Sequence, residues 1–430
     1  MRSCSVDPSV AVASPDLRGT DTTAAAAIAE DALALRARGL VDRRTRLVRP
    51  FFEAEAGRIA GLCHRLAERF LRGARLIAIG QSPAARSDVS HIAVEFVHPV
   101  IVGKRALPAL GVTAAGGPIA AQLALLAQPA DIVVAFVEAQ EQREDIAGAI
   151  AAARQLGCLT VAFAPVGAEW ECSPPGDDSF LAQEIVETLY HVLWELVHVF
   201  FEHQGLLDAG HGMTHAAGAS SFLYPFLARE EHDLERVLDD VERSVITKAE
   251  EVTSLRVRSF DESAPALYAA ARTLRGCFES RRALLVFGNG GSATDAMDAA
   301  ADYRFPPMGW RPRQTVDLTE DSSILTAIAN DIGPDAIFAR QIIAYGRAGD
   351  VAMAFTTSGN SRNIIQALAE ARRRSLGTIA FVGYDGGEIA ARQLADHVIL
   401  VPSQYIPRIQ EAQATMHHVL RELTETEASL

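Results

Sequence analysis

Ala283-Leu-Leu-Val-Phe-Gly-Asn-Gly-Gly-Ser292 is the stretch that decides the fold of the second half of this chain. An apolar run that ends in glycine is typical of a buried parallel strand that leads into a turn. Helical patterning resumes near Ala293, so the loop Gly288–Ser292 lies between a strand and a helix. Glycines there let the backbone approach an anion, and the helix N-terminus offers free N–H groups. The stretch therefore predicts an α/β sheet with an anion-binding loop, whose candidate ligand residues are Asn289, Gly290, Gly291 and Ser292.

A second loop of the same kind, Thr356-Thr-Ser-Gly-Asn-Ser361, follows the predicted strand Asp350–Phe355 and precedes a predicted helix at Asn363–Arg374. Its hydroxyl groups can donate to phosphate oxygens without adding net charge, and they belong to Thr356, Thr357, Ser358 and Ser361. Such loops are often plain turns, but two at strand ends of one sheet favour a ligand site. Neither loop continues as a P-loop or matches a dinucleotide-binding loop well, so we expect neither nucleotide hydrolysis nor dinucleotide binding.

The first half of the chain repeats this alternation of strands and helices. Its predicted strands are Arg75–Gly80, Leu107–Val112, Asp131–Val137 and Cys158–Ala164, and a helix from about Phe180 to Phe201 follows them. The predicted strands of the second half are Ala283–Gly288, Asp350–Phe355, Thr378–Val382 and His397–Val401, with a final helix from about Pro407 to Glu425. Matching Gly80 with Gly288, Asp131 with Asp350 and Gln183 with Gln410 gives offsets of roughly 210–230 residues, which indicates an internal duplication.

We therefore predict an α/β protein with two tandem domains, each a doubly wound, mostly parallel sheet flanked by helices. Residues 1–30 are rich in Ala, Ser, Thr and Asp without periodicity, and we predict that they form a disordered tail. The predicted first domain spans residues 31–204, a linker spans 205–228, and the second domain spans 229–430.

The composition excludes several classes of function. A formal net charge of −14 argues against nucleic-acid binding, because a phosphate backbone would repel it. Five cysteines without CxxC spacing indicate reduced thiols, not disulfides or a structural zinc site. The longest apolar segment, Leu189–Phe201, is too short and too polar to span a bilayer. With no secretory signal pattern at the N-terminus, we expect a cytoplasmic protein without membrane contact.

Several motifs of the second half resemble the phosphoheptose isomerase branch of the sugar-isomerase (SIS) family. They are Phe287–Ser292, Asp295-Ala-Met297, Thr357–Ser361, Asp385-Gly-Gly387 and Arg408-Ile-Gln-Glu411. The resemblance implies tandem SIS domains and the interconversion of sedoheptulose 7-phosphate with an aldoheptose 7-phosphate, often with zinc at the reacting end. It also implies substrate contacts from Asn289–Gly291, Asn330, Asp331, Thr356–Ser358, Ser361 and Gln410.

The second half departs from the family at the reacting end. The family places a His and a Glu at i, i+4 after the glycine-rich loop, and a Gln and a His eight residues apart on the last helix. Here the corresponding side chains are Asp298, Asp302, Gln410 and His418, and Pro407 replaces an acidic sugar contact. Two carboxylates, an amide oxygen and one imidazole form a harder ligand set, which shifts metal preference away from zinc.

The first half has the opposite pattern. It keeps the family ligand set as His91, Glu95, Gln183 and His191, which the resemblance makes the candidate ligands of a divalent metal, with Zn²⁺ as the expected ion. Its loops have diverged to Gly80-Gln-Ser-Pro83 and Val137-Glu-Ala-Gln-Glu141, in which Glu138 and Glu141 would repel a phosphate. We therefore expect a composite site in which the second half holds the phosphate and the first half supplies the chemistry.

The expected function is a sugar-phosphate aldose–ketose isomerase that acts on sedoheptulose 7-phosphate or a related phosphosugar through an enediolate. Its base would be Glu95 or Asp302, and its acid would be His191 or His418. The alternatives are a non-catalytic SIS protein that binds a phosphosugar as a signal or binds a partner protein, and a structural scaffold. Because relatives form tetramers of single domains, we expect a homodimer that makes a four-domain pseudo-tetramer.

Overall fold

The computed structural model describes residues 18–101, 104–138, 143–202 and 233–425 and contains two parallel five-stranded sheets flanked by helices. In the first half the strands are β1 (Leu76–Gly80), β2 (Ala109–Thr113), β3 (Ile132–Phe136), β4 (Leu159–Ala162) and β5 (Trp170–Glu171). The helices of this half are α1 (Arg18–Leu71), α2 (Pro83–Val97), α3 (Ile119–Leu126), α4 (Arg143–Leu156) and α5 (Ser179–Glu202).

The second half begins with a long helix and ends with another. Its helices are α6 (Leu234–Glu279), α7 (Gly291–Arg304), α8 (Ser322–Asp331), α9 (Ile337–Tyr345), α10 (Arg362–Arg373), α11 (Gly387–Ala391) and α12 (Ile406–Glu425). Its strands are β6 (Leu284–Phe287), β7 (Thr315–Asp317), β8 (Val351–Thr356), β9 (Gly377–Gly383) and β10 (His397–Val401). None of the helices in the described ranges is both long enough and apolar enough to cross a bilayer.

The two sheets have the same strand order. The first runs β2-β1-β3-β4-β5, and the second, read from its other edge, runs β7-β6-β8-β9-β10. Every strand pair is parallel, and the helical crossovers cover both faces, so the central strands are fully buried. The predicted fold class, two doubly wound α/β domains in tandem, is therefore confirmed.

The long helices α1 and α6 tie the two halves together. Ala37 and Val41 of α1 pack in the core of the second half, whereas the later part of α1 packs in the core of the first. Conversely, Val237 and Val245 of α6 pack in the first core, and Leu267 packs in the second. The halves therefore exchange helical segments and share two cores.

This exchange corrects the predicted boundaries at two points. Helix α1 begins at Arg18, so residues 18–30, predicted as part of a disordered tail, are helical. The first turns of α6, assigned by sequence to the second domain, contribute to the core of the first half. The predicted linker 205–228 lies outside the described residues.

Equivalent aspartates brace the starts of the central strands in both halves. Asp131 accepts hydrogen bonds from the backbone N–H groups of Arg75 and Gln128, both at 2.9 Å, and pairs with the Arg75 guanidinium at 2.7 Å. Asp350 accepts from the N–H groups of Ala283 at 2.9 Å and Arg347 at 2.8 Å. Each carboxylate thereby joins the loop before one strand to the start of its neighbour.

We predict that Asp131→Asn lowers the free energy of unfolding by about 1–3 kcal/mol, because an amide nitrogen cannot accept from the N–H groups left behind. Burial opposes the charge of Asp131, but its bonds from Arg75 and Gln128 lower its pKa overall. The stabilisation is therefore present above the unfolded pKa of about 3.9 and is lost as the pH falls below it.

Urea denaturation at pH 7 and at pH 3 measures both effects. The exposed carboxylate Glu262 provides the control variant Glu262→Gln, which should change the free energy of unfolding little. Equal stability of Asp131→Asn and wild type at pH 7 would contradict the bracing role.

Candidate functional site

The two predicted anion-binding loops of the second half lie side by side. Strands β6 and β8 are neighbours in the sheet, with Phe287 opposite Ala354, so the loops that follow them emerge at the same edge. The side-chain amides of Asn289 and Asn363 exchange two hydrogen bonds, of 2.9 and 2.8 Å, and so join the first loop to the helix after the second. Both loops therefore border one region at this edge of the sheet, where the sequence predicts anion binding.

A third loop closes this region from the side of β9. Gly359 has a φ of +63°, and a Cβ at this residue would lie 2.2 Å from the carbonyl oxygen of Gly386. The Asn360 side chain accepts a hydrogen bond of 2.9 Å from the N–H of Glu388. These contacts fix the hydroxyl-bearing loop Thr356–Ser361, and Thr356 itself is buried.

The first cluster of candidate catalytic side chains joins the two halves. His91 Nε2 lies 3.3 Å from His191 Nε2, both from the first half, and 3.2 Å from Nε2 of Gln410, which belongs to the second half. The glycine-rich loop approaches the same point, because a Cβ at Gly291 would lie 2.1 Å from Gln410 Nε2 and 3.1 Å from His91 Nε2. The Tyr190 hydroxyl lies 2.9 Å from His91 Nδ1. The glycine-rich loop of one half thus lies against the imidazoles of the other.

Buried charged groups hold His191 in place. Its Nδ1 lies 3.0 Å from Glu411 Oε1, and Glu411 in turn pairs with Arg408, which bonds Glu195 at 2.9 Å. Burial raises the pKa of Glu411, but Arg408 and His191 outweigh it, so the pKa lies below its usual range. An ionised Glu411 accepts a hydrogen bond from His191 Nδ1–H and leaves Nε2 directed at His91.

Glu95 is the candidate base of this cluster. Its Oε1 lies 3.9 Å from His91 Nε2, and its other oxygen is buried without a hydrogen-bond partner among the described residues. Burial is the main cause that raises the pKa of Glu95 to about 7. Burial and the neighbouring His191 hold the pKa of His91 well below its usual range. A neutral imidazole therefore faces a carboxyl group that can exchange a proton near neutral pH.

A second cluster lies on α7 and α12. Asp298, Asp302, His417 and His418 form it, and His418 Nε2 lies 3.5 Å from an oxygen of each aspartate. Gln183 of the first half donates a hydrogen bond to Asp298. His418 Nδ1 lies 2.9 Å from Glu184 Oε1, the counterpart of the His191–Glu411 contact.

The structure corrects the predicted grouping of ligands in both halves. Gln183, predicted to join His91 and His191, instead bonds Asp298, while Gln410, predicted to join His418, contacts His91. Eight helical residues span about 12 Å along the helix axis, so each glutamine reaches a different cluster from the histidine that follows it. The predicted acid–base residues also divide between the clusters. Glu95 and His191 lie in the first cluster, and Asp302 and His418 lie in the second.

Two predicted substrate contacts, Asn330 and Asp331, bond each other at the surface. Asn330 and Asp331 are exposed at the end of α8, and the Asn330 amide donates a hydrogen bond of 2.8 Å to the neighbouring Asp331 carboxylate. In the first half Glu138 lines a pocket together with Asp88 and Asp178. Its predicted partner Glu141 lies outside the described residues.

Sequence reasoning missed Tyr190 and Glu187, which belong to the first cluster, and His417, which belongs to the second. On a helix rich in apolar residues, single polar side chains give no signal of their own. A signal for Glu184 and Glu411 was present, because each directly follows the glutamine of its half.

Residues of both clusters line one pocket. The residues that line it include His91, Tyr190 and Glu187 near the first cluster, and Gln183, Asp298 and His417 near the second. Both halves contribute to its walls, so access to each cluster depends on the packing of the halves.

Comparison of the sequence with known proteins identifies a family for this chain. Residues 249–383 match the model of the SIS domain. The phosphoheptose isomerase of Geobacter sulfurreducens is 44% identical over 43% of this chain and 91% of its own length. That of Aquifex aeolicus is 49% identical over 33% of this chain and 74% of its own length.

A solved structure resembles nearly the whole chain. The C-terminal domain of glucosamine-fructose-6-phosphate aminotransferase from Francisella tularensis superposes with a TM-score of 0.55, covering 91% of this chain and 96% of that one. At 9% sequence identity this likeness concerns the fold alone. The two relatives, each matched over more than two thirds of its own length, lead to one conclusion: the chain belongs to the phosphoheptose isomerase family of SIS-domain proteins.

Proposed function

We propose that this protein is a sugar-phosphate aldose–ketose isomerase that acts on sedoheptulose 7-phosphate or a related phosphosugar. The observation that carries the proposal is the contact of Gly291 with Gln410 and His91. This contact places a loop that suits an anionic ester beside a buried set of acid–base groups. A sugar-phosphate isomerase requires both. The phosphoheptose isomerase relatives support the same class of reaction.

The phosphate would bind at the two adjacent loops of the second half. Backbone N–H groups of Asn289–Ser292, at the start of α7, supply donors at a helix N-terminus. The hydroxyl groups of Thr357, Ser358 and Ser361 add donors without adding charge. An ester held there positions the far end of the sugar chain toward the first cluster.

A divalent cation fits the first cluster. The ring nitrogens of His91 and His191 lie only 3.3 Å apart, and buried oxygens of Gln410, Glu95 and Glu187 have no hydrogen-bond partner among the described residues. Together they form a set of mixed nitrogen and oxygen ligands. A reversed Gln410 amide would direct its oxygen at the same point. His91, His191 and Gln410 would hold the cation, with Glu95 or Glu187 beside it. When bound, such a cation polarises the sugar carbonyl.

Glu95 is the group that would move the proton between carbon 1 and carbon 2 of the sugar. With a pKa of about 7, it is partly ionised at neutral pH and can both remove and return a proton. When it does not hold the cation, His191 Nε2 would take the proton from one sugar oxygen and return it to the other, since Glu411 fixes its Nδ1–H. Tyr190 orients His91 through its hydroxyl group. One proton thus passes between the carbons and one between the oxygens, and the sugar ends as its isomer.

One observation favours the alternative of a non-catalytic phosphosugar-binding protein. Asn330 and Asp331, expected to contact the substrate, bond each other at the surface. Calorimetry with sedoheptulose 7-phosphate, combined with an assay of isomerisation over a panel of five- to seven-carbon sugar phosphates, separates the two functions. Binding without turnover of any member, with and without divalent metal, would support the sensor and exclude the isomerase.

We predict that Glu95→Gln lowers kcat by about 10²–10⁴-fold with little change in KM, because the amide cannot accept the substrate proton. The variant keeps the size of the side chain, so thermal unfolding should show a folded protein. The matched control is Glu262→Gln, which removes an exposed carboxylate and should leave kcat unchanged. An unchanged kcat in the Glu95 variant would remove Glu95 from the reaction.

We also predict that Gly291→Ala lowers kcat/KM by about 10²-fold, since the new methyl group displaces Gln410 and His91 from the loop. Gly276→Ala is the control, because a Cβ at that helical residue meets no atom within 4 Å. Steady-state kinetics with the active sugar phosphate compare both variants with the wild type. Full activity of the Gly291 variant would show that the site does not combine the two halves as proposed.

A further inference from the structure

The pocket of the first half that Glu138 lines corresponds in position to the predicted phosphate site of the second half. Because the two sheets have the same strand order, β3 corresponds to β8. Glu138 follows the end of β3 at Phe136, as the loop Thr356–Ser361 follows β8. Ala85, which also lines the pocket, lies in the first turn of α2, as Ser292 lies in the first turn of α7. The pocket therefore lies where the first half would hold a phosphosugar if it bound one.

The start of α2 offers an anion fewer donors than the start of α7. Pro83, the first residue of α2, has no backbone N–H group. The Ser82 hydroxyl caps the helix and accepts a hydrogen bond of 3.0 Å from the N–H of Ala85. No side chain caps the start of α7 at Gly290. Two N–H groups that a phosphate would need are thus missing or already occupied in the first half.

Carboxylates replace the hydroxyl groups around this pocket. Within the described ranges no Lys or Arg lines it, and its acidic side chains are Asp88, Glu138, Asp177 and Asp178. Only one of them has a guanidinium beside it, since Arg43 pairs with Asp178 at 3.4 Å. Such walls repel a phosphate and attract a cation.

The buried carboxyl group of Asp88 is the observation that points to a ligand. Asp88 is 8% exposed, lines the pocket, and forms no hydrogen bond or ion pair with the described residues. Burial, Asp298 and Glu138 raise its pKa well above the usual range, and His418 offsets them only in part. Buried polar groups in native proteins nearly always have a partner. A cation in the pocket would supply the one that Asp88 lacks.

The remaining wall of the pocket is apolar. Phe136 and Phe163 line it with ring centroids 5.2 Å apart, and Val137 and Val186 lie beside them. Aromatic rings attract cations, and apolar side chains favour an apolar ligand body. A hydrated inorganic cation would gain nothing from this wall. The pocket therefore suits an ion that joins a positive charge to an apolar group.

We propose that this pocket binds a small organic amine in its ammonium form, with the charge at Asp88 and Glu138 and the apolar body against the two phenyl rings. Gln183 also lines the pocket and donates a hydrogen bond to Asp298 of the second half. An occupant would thus contact a side chain that joins the two halves. The proposal does not depend on isomerase activity, and either can fail alone.

Isothermal titration calorimetry of the full chain with phenethylamine at neutral pH tests the proposal. We expect one site that binds phenethylamine at least tenfold more tightly than phenethyl alcohol, which lacks the charge. Ethylamine, which has the charge without the ring, should also bind at least tenfold more weakly. Phenylacetate is an anion of similar size and should not bind.

Variants of the acidic wall locate the site. Asp88→Asn should weaken phenethylamine binding at least tenfold and leave the affinity for phenethyl alcohol unchanged, because only a charge partner is lost. Glu138→Lys should abolish phenethylamine binding, since its ammonium group repels that of the ligand. The control Glu262→Gln removes an exposed carboxylate far less able to exclude water and should change nothing.

Three results would overturn the amine site. The first is no detectable binding of phenethylamine at millimolar concentration, and the second is equal affinity for phenethyl alcohol. The third is binding that neither Asp88→Asn nor Glu138→Lys weakens, as expected for non-specific attraction to a net charge of −14. Where Asp88→Asn does not fold, the half-buried Glu138 decides the question through its lysine variant. Amine binding without turnover of any sugar phosphate would count against the isomerase proposal alone.

Discussion

The reciprocal contact between helices α5 and α12 is the constraint on which the site depends. Glu184 of α5 holds His418 of α12 at 2.9 Å, and Glu411 of α12 holds His191 of α5 at 3.0 Å. All four side chains are buried, which is costly for carboxylates unless they are paired. Arg44 pairs with Glu184 and Arg408 with Glu411, so both carboxylates keep their charge. Pulling the helices apart would leave each glutamate without its histidine and each histidine without its orientation.

The exchange of helical segments between the halves holds α5 and α12 in this contact. Helix α1 packs Val41 in the second core, and α6 packs Val241 in the first, so neither core is complete without the other half. Burial of apolar surface dominates folding energetics, and the shared cores therefore fix the relative position of the halves. That rigidity brings Gly291 to within contact of His91, although the two residues belong to different sheets. Precise placement of this kind is what a proton-transfer site needs.

Local patterns allowed the sequence to predict most of the fold and the loops of the site, but not the pairing of its side chains. The apolar runs, the glycine-rich turn at Gly288 and the duplicated Asp131 and Asp350 have local causes and were predictable. Which glutamine meets which histidine depends on how α5 crosses α12, and Gln410 and His91 are 319 positions apart. Residues 18–30 show no amphipathic period, so no sequence pattern indicated that they continue helix α1. Packing between distant segments, not local propensity, decides such features.

Under the proposed function, the contact of each half's helices with the other half lets two halves that are each incomplete form one site. The first half has lost the loops suited to phosphate but keeps His91, Glu95 and His191; the second half has lost the histidine and glutamate of α7 but keeps both loops. If each half used its own loops and its own helices, both sites would be incomplete. Because the loop at Gly291 faces His91, the retained parts meet at the first cluster, and the altered parts, with Asp298 beside Gln183, meet at the second. The second cluster is then free of the demands of the sugar reaction, so its replacement of a histidine and a glutamate by two aspartates needs only to satisfy charge and packing.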